Sequence, residues 1–220
     1  MKLTTPFRGG LYHVSESALG VGLWVDASKY ENEVLGEIER WLRPGDTFVD
    51  VGANVGLFSV LAGGIVGENG TVVSIEPHPR VHDFLTDNLA LNSLHFVRTH
   101  QVAVGAAEGT AFLSDRHADD QNALAPAGTL AVSVVRLDTL LAEIPRIRVL
   151  KIDVEGHELE VLRGANYVLQ RCDAVLLELW SDTVPPELAA FEIRTIHDAG
   201  GVRDVIAIRK PALPVSGADV

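Results

Sequence analysis

The chain contains a single cysteine, Cys172. One thiol builds neither a disulfide framework nor a multi-cysteine metal site, and its place just before the apolar run 174-AVLLEL-179 marks a buried structural thiol. Cations are scarce as well: 18 Lys and Arg stand against 30 Asp and Glu, a formal charge of −12, with no basic run. Such a chain has little with which to neutralise a phosphate backbone, so nucleic acid is not the expected partner. No apolar stretch approaches the length needed to span a bilayer, and the start MKLTTPFRGGLYHVSES lacks the apolar core of a signal peptide. With the free cysteine, these absences lead to the expectation of a cytoplasmic protein without a membrane partner.

What the chain does have is 220 residues at 47% hydrophobic content, enough for one α/β domain with a buried core. From Thr47 onward, β-branched runs alternate with helical patterns, the signature of stacked βαβ units on a mostly parallel sheet with helices on both faces. TFVDV (47–51), TVVSIE (71–76), HFVRTHQVAV (95–104), RVLKIDV (148–154), AVLLEL (174–179) and VRDVIAI (202–208) read as strands. KYENEVLGEIERWL, LFSVLAGGIVG, RVHDFLTDNLALN, HELEVLRGANYVLQ and ELAAFEIRTIHDAG carry apolar residues at helical spacing. Between Val104 and the fourth strand, TAFLS (110–114) and LAVSVVRL (130–137) flank a polar loop and read as an inserted hairpin or flap. The organisation is one domain: residues 1–43 an N-terminal segment and helix, 44–104 a cofactor-binding half, 105–136 the insertion, 137–210 a substrate-side half and 211–220 a tail.

The stretch 47-TFVDVGANVG-56 runs a strand into a glycine turn, which lets the backbone approach a ligand and aims a helix N-terminus at it. A dinucleotide fingerprint would place glycines where Asn54 and Leu57 stand, and a phosphate loop would require a lysine that is missing. Asp50 at the strand end suits an ammonium and a sulfonium, whereas it would repel a pyrophosphate. Glu76 ends the second strand 20 residues past Gly56, where a carboxylate accepts both hydroxyls of a ribose. Acid, glycine turn and ribose acid together describe S-adenosylmethionine; the plainer alternative makes Asp50 a helix cap and Glu76 a solvated strand end.

The segments 45-GDTFVDVGANVGLFSVLAG-63, 71-TVVSIEPHP-79, 87-DNLALN-92, 137-LDTLL-141 and 150-LKIDVEGHELEVLRGA-165 resemble those of FkbM-family methyltransferases. The resemblance covers roughly residues 29–180. It implies a Rossmann-like class I methyltransferase fold and S-adenosylmethionine-dependent methylation, usually of a hydroxyl on a sugar or secondary metabolite. It further implies that Asp50, Gly52, Ala53, Asn54 and Gly56 surround the methionine half of the cofactor. Glu76 would hold the ribose beside Pro77 and His78, with Val102 and Ala103 near the adenine. The pair Tyr30 and Glu31 resembles an aromatic-acid entry that closes over the methionine end.

Methyl transfer is an in-line displacement, so the acceptor hydroxyl must be placed opposite the sulfur and relieved of its proton. His157, Asp153 and Lys151 compete for the role of base: His157 by its ordinary pKa, Asp153 if buried, Lys151 if its pKa were lowered. Lys151 has a plainer role as charge partner of Asp50 or Asp153, and His157 as a helix-start residue that packs or faces water. Glu155 is expected to project beside the cofactor, and His117 and Asn122, with Asp119, Asp120 and Gln121, to contact a hydroxylated acceptor from a lid. A divalent cation on Asp153, Glu178 and Asp182 is a second, less favoured mechanism. These residues do not separate a hydroxyl acceptor from nitrogen or carboxylate, and a cofactor-binding module without catalysis is the rival class. Oligomeric state, a homodimer included, is left open.

Overall fold

The computed structural model describes residues 2–15, 29–113, 124–125, 130–180, 183–198 and 200–211. The chain opens with an antiparallel hairpin, β1 (Lys2–Phe7) and β2 (Gly10–Ser15), outside the strand pattern read from Thr47 onward. Helix α1 (Lys29–Trp41) follows, then β3 (Thr47–Val51), α2 (Leu57–Val66), β4 (Thr71–Ile75), α3 (Pro79–Leu91) and β5 (Arg98–His100). The insertion contributes β6 (Ala103–Val104), β7 (Gly109–Leu113), β8 (Leu124–Ala125) and β9 (Leu130–Val135). A short α4 (Leu137–Leu140) leads to β10 (Ile147–Ile152), α5 (Glu158–Arg163), α6 (Asn166–Gln170), β11 (Cys172–Leu179), β12 (Phe191–Asp198) and β13 (Arg203–Arg209).

Seven strands make the central sheet, in the order β12-β13-β11-β10-β3-β4-β5. Only β13 runs against the rest. Each buried strand feeds two cores, because successive side chains leave opposite faces. Val49, Val51, Val73, Ile75, Leu150, Ile152, Val175 and Leu177 pack with Leu137, Val161, Leu162 and Val168 of α4–α6. Their neighbours Phe48, Val72, Val149, Ala174 and Leu176 pack with Val34, Ile38, Ala62 and Val66 of α1 and α2. Helices therefore cover both faces, as the strand pattern predicts.

Three local expectations differ. The helix expected over 187–200 is instead a 3-10 turn, Pro186–Leu188, followed by β12. Phe191 and Ile193 alternate with exposed Glu192 and Arg194, a period of two that satisfies β13's open edge and overrides the helical spacing. Ile196 packs on the α1 face, the side on which Arg194 bonds Glu37, and the register shifts between Thr195 and His197. Residues 95–104 are not one strand: β5 ends at His100, and β6 pairs in a separate four-stranded sheet, β6-β9-β7-β8. The expected helix from His157 to Gln170 is two helices, because Asp138 Oδ1 accepts the N–H groups of Tyr167 (2.8 Å) and Val168 (2.9 Å) and caps α6 from α4.

Candidate functional site

The glycine turn lies at the carboxyl end of β3, the middle strand of the sheet's parallel half. Gly52 (φ 77°), Asn54 (φ 50°) and Gly56 (φ 94°) all take left-handed backbone. At Gly52 a side chain is impossible, since a Cβ would stand 1.8 Å from the carbonyl oxygen of Asp153. Asn54, where a dinucleotide turn has glycine, tolerates this region and accepts the Val55 N–H on its own Oδ1 at 2.7 Å. Gly52 and Ala53 both donate to the carbonyl of Ile75 at 3.0 Å, which ties the turn to β4. At Gly56 the chain enters α2 with no side-chain cap, so the dipole and first-turn amides of that helix serve whatever lies over the loop.

Glu76 follows β4 and is buried beside the turn. Its Oε2 accepts the Asn54 N–H at 3.0 Å and its Oε1 the His78 N–H at 2.9 Å. A carboxylate oxygen accepts two hydrogen bonds, so one position on each oxygen remains for a pair of vicinal hydroxyls. Burial pushes the Glu76 carboxyl up to about 7; the two backbone donors and Lys151 oppose this, and Asp50 adds to it. Pro77 sits half-buried after it, and buried His78 precedes α3, which Pro79 begins.

Asp50 departs from its expected place against the ligand. On β3 it shares the α1–α2 face with Phe48, and it is fully buried there. Its Oδ2 accepts the Ser59 hydroxyl of α2 at 2.6 Å, and Ser59 Oγ lies 2.7 Å from Ser74 Oγ of β4. Lys151, opposite Asp50 on β10, brings its Nζ to 3.4 Å from Asp50 Oδ1 and 3.3 Å from Asp153 Oδ2. The same ammonium donates to the Gly52 carbonyl at 3.3 Å and stands 4.7 Å from the centroid of the Phe58 ring. Asp50 thus acts on the turn from beneath, through Lys151. Burial by itself would lower the lysine's pKa, but Asp153 and Asp50 outweigh it and hold the ammonium above its ordinary value. An ammonium so held fits the charge-pairing role, the plainer of the two expected for Lys151.

Beyond β10 the chain turns through Glu155 (φ 53°) and Gly156 (φ 92°). Glu158, buried, reaches back to accept the N–H groups of Val154 and Gly156, each at 3.1 Å, and fixes this turn. Glu155 is exposed at its tip. His157, half-buried, begins α5, and its Nδ1 makes no hydrogen bond among the described residues. Asp153 is likewise part-exposed, with 36% of its side chain open and its Oδ2 anchored by Lys151.

A cavity of about 40 Å³ lies along this edge. Its polar lining is Lys151, Asp153, Glu178 and Asp204, and Val34, Phe58 and Ile196 supply apolar walls. Glu178 and Asp204 are cross-strand partners on β11 and β13. Such a volume holds only a few waters. His157 is not among the described residues that line it. No group of three metal-binding side chains occurs among the described residues, and Asp182 of the suggested cation site lies outside them.

A model of the methyltransferase FkbM domain matches residues 50–208. The chain belongs to the FkbM methyltransferase family. Hexuronic acid methyltransferase AglP of Haloferax volcanii is 27% identical over 162 residues, 72% of this chain and 66% of that protein. Methyltransferase sdnD of Sordaria araneosa is 30% identical over 190 residues, 67% of this chain and 72% of that one. The FkbM chain thus spans about two thirds of the length of these curated relatives. Among solved structures, the T. thermophilus 16S rRNA N2 G1207 methyltransferase, in complex with AdoMet and guanosine, matches with a TM-score of 0.55 at 12% identity. That match covers 96% of this chain and 50% of the other, and it is a likeness of fold: the Rossmann-like class I methyltransferase architecture.

Within this FkbM domain some expected site residues stand apart from the turn. Ala103 packs its methyl against Leu113 and Val132 in the small sheet, because the third strand already ends at His100. Tyr30 and Glu31 fall in the first turn of α1, but their side chains lie outside the described residues, as do His117 and Asn122. The sequence reading missed Ser59, Ser74 and Asn88, all fully buried polar side chains around the turn. Their signal is a polar residue inside an otherwise apolar run, as in 57-LFSVLAGGIV-66 and 71-TVVSI-75. No described helix is long and apolar enough to cross a membrane.

Proposed function

We propose that this FkbM domain transfers a methyl group from S-adenosylmethionine to a hydroxyl of a small hydroxylated acceptor, a sugar, glycoside or secondary metabolite. The observation that carries the cofactor is the pairing of the turn with Glu76. An uncapped α2 and a buried carboxylate with two acceptor positions left suit a ligand with a ribose diol and an amino acid end. When bound, the cofactor supplies an electrophilic methyl group on a sulfonium. The net charge of −12 suits a cationic donor and argues against RNA as acceptor, despite the function of the structural neighbour.

For the acceptor, Asp153 is the group we place in contact with the reacting oxygen. It lines the cavity, it is part-exposed, and Lys151 fixes its orientation at 3.3 Å. Its free oxygen accepts the hydroxyl's hydrogen bond and takes the proton as the new O–CH3 bond forms, then returns it to water. The mixed lining of apolar Val34, Phe58 and Ile196 with carboxylates suits an acceptor that presents hydroxyls along one edge.

The test is transfer of labelled methyl to a panel of neutral glycosides, uronates, amines and RNA. Asp153→Asn is expected to lower turnover roughly a hundredfold with S-adenosylhomocysteine affinity little changed. Full turnover in that variant would move the base to His157. Cofactor binding without transfer to any acceptor would make the domain a binding module.

A further inference from the structure

Asn88 sits in the last turn of α3, fully buried, where a helix gains nothing from an asparagine by itself. Its amide is used on three sides. Oδ1 accepts the His13 N–H at 2.5 Å, and Nδ2 donates to the His13 carbonyl at 3.1 Å. The same Nδ2 donates to the carbonyl of Val55 at 2.7 Å. Val55 lies in the turn between two left-handed residues, Asn54 and Gly56. One turn of helix later, Asn92 repeats the first pair of contacts with β2: its Oδ1 accepts the Leu11 N–H at 2.9 Å and its Nδ2 donates to the Leu11 carbonyl at 2.7 Å. The two side chains pair with β2 as a neighbouring strand would, but only Asn88 also reaches the turn.

From this geometry we infer that Asn88 is a positioning residue for the cofactor turn, and that it couples the docking of the N-terminal β1–β2 hairpin to cofactor affinity. The turn holds strained backbone, so it keeps its shape only where its surroundings over-determine it. Gly52 is held by Lys151 and Ile75, Asn54 by Glu76, and Gly56 packs so closely on Leu85 of α3 that a Cβ would lie 2.7 Å from its Cδ1. The Val55 carbonyl is held by Asn88, and α3 thereby grips the distal end of the turn through Leu85 and Asn88, three residues apart. Neither residue needs to touch the ligand. The hairpin contributes because it orients the Asn88 amide: the His13 peptide takes Oδ1 and leaves Nδ2 aimed at Val55.

The inference rests on the reading that this turn holds the cofactor, and the experiment separates the two. Asn88→Asp keeps the size but replaces both donated hydrogen bonds by oxygen facing oxygen; Asn92→Asp makes the same change against the hairpin and the Asn88 carbonyl, with no bond to the turn. Both are expected to lower Tm. Both are expected to raise the Kd for S-adenosylhomocysteine, Asn88→Asp by about tenfold because it leaves a buried turn carbonyl without its donor, and Asn92→Asp by clearly less because it acts on the turn only through the docking of the hairpin. Equal shifts in Kd for the two variants, or none in either, overturn the inference. Unchanged binding in Glu76→Ala as well would overturn the cofactor reading itself, whereas loss of binding in Glu76→Ala with none in Asn88→Asp removes only the role of Asn88. The wild-type chain supplies a test that needs no variant: by reciprocity of coupling, S-adenosylhomocysteine must slow amide exchange at His13. Exchange at His13 that ignores the ligand refutes the coupling.

Discussion

Glu76 offers a quantitative test of the site. Burial raises its carboxyl from an ordinary 4.5 to about 7 in the ligand-free chain. Hydroxyl donors of a ribose bind the ionised form, so affinity should rise with pH until Glu76 is ionised and level off above about 7. If only the carboxylate form binds, the ionised fraction grows roughly 30-fold between pH 5.5 and 8, and so should the association constant. Calorimetric titration of S-adenosylhomocysteine across that range measures it directly, with Glu76→Gln as the reference that cannot titrate. The same shift has a stability sign. Between pH 4.5 and 7 the folded chain keeps a proton that the unfolded chain has lost, so this contribution is full below 4.5 and is lost as pH rises through 7. Its size is roughly 3 kcal/mol, since each pKa unit is about 1.4 kcal/mol. Melting curves of wild-type and Glu76→Gln should therefore converge or cross as pH changes, while the cost of one mispaired amide stays constant. Affinity that is flat with pH, or a Gln variant with the wild-type slope, refutes the assignment of Glu76 to the ribose.

The network beneath the turn makes its own predictions. Lys151→Met leaves Asp50 buried without its cation and should cost roughly 3–5 kcal/mol in denaturant unfolding; Asp50→Asn added to it should recover part of that loss, and strict additivity of the two changes would deny the pair. Gly52→Ala places a methyl against the Asp153 carbonyl at a backbone angle that alanine avoids, so loss of cofactor binding with a large drop in Tm is expected. A Gly52→Ala chain that melts and binds as wild type would contradict the described approach of β3 to β10.

The parts of the fold that were legible are those where local pattern and tertiary need agree. Buried strands such as 71-TVVSI-75 and 174-AVLLEL-179 are apolar on both faces, and only a sheet covered on both sides accepts that composition. Residues 187–200 fit a helix by spacing alone, yet the open edge of β13 made a strand of them; nothing local reports where an unpaired edge lies. The site divides in the same way. Gly52, Asn54, Gly56 and Glu76 were recognisable because their chemistry sits in short contiguous motifs. The partners that set the turn, Ser59, Ser74, Asn88 and His13, come from other elements, and each reads alone as an ordinary polar residue.

Lys151 carries the distinction furthest. Residue order places a lysine two positions before an acid at the end of a strand, which is compatible with a base, an ion pair or an exposed charge. The parallel register that sets Lys151 opposite Asp50, and the close contact that only Gly52 permits, put one buried ammonium between two carboxylates and a carbonyl. By itself the sequence determined the βαβ alternation, the glycine turn and the acid after β4, because each is a property of neighbouring residues. Which charges compensate one another, and so which carboxylate stays part-exposed, was decided only by tertiary structure, because electrostatic energy depends on distances and burial that residues far apart in the chain create together.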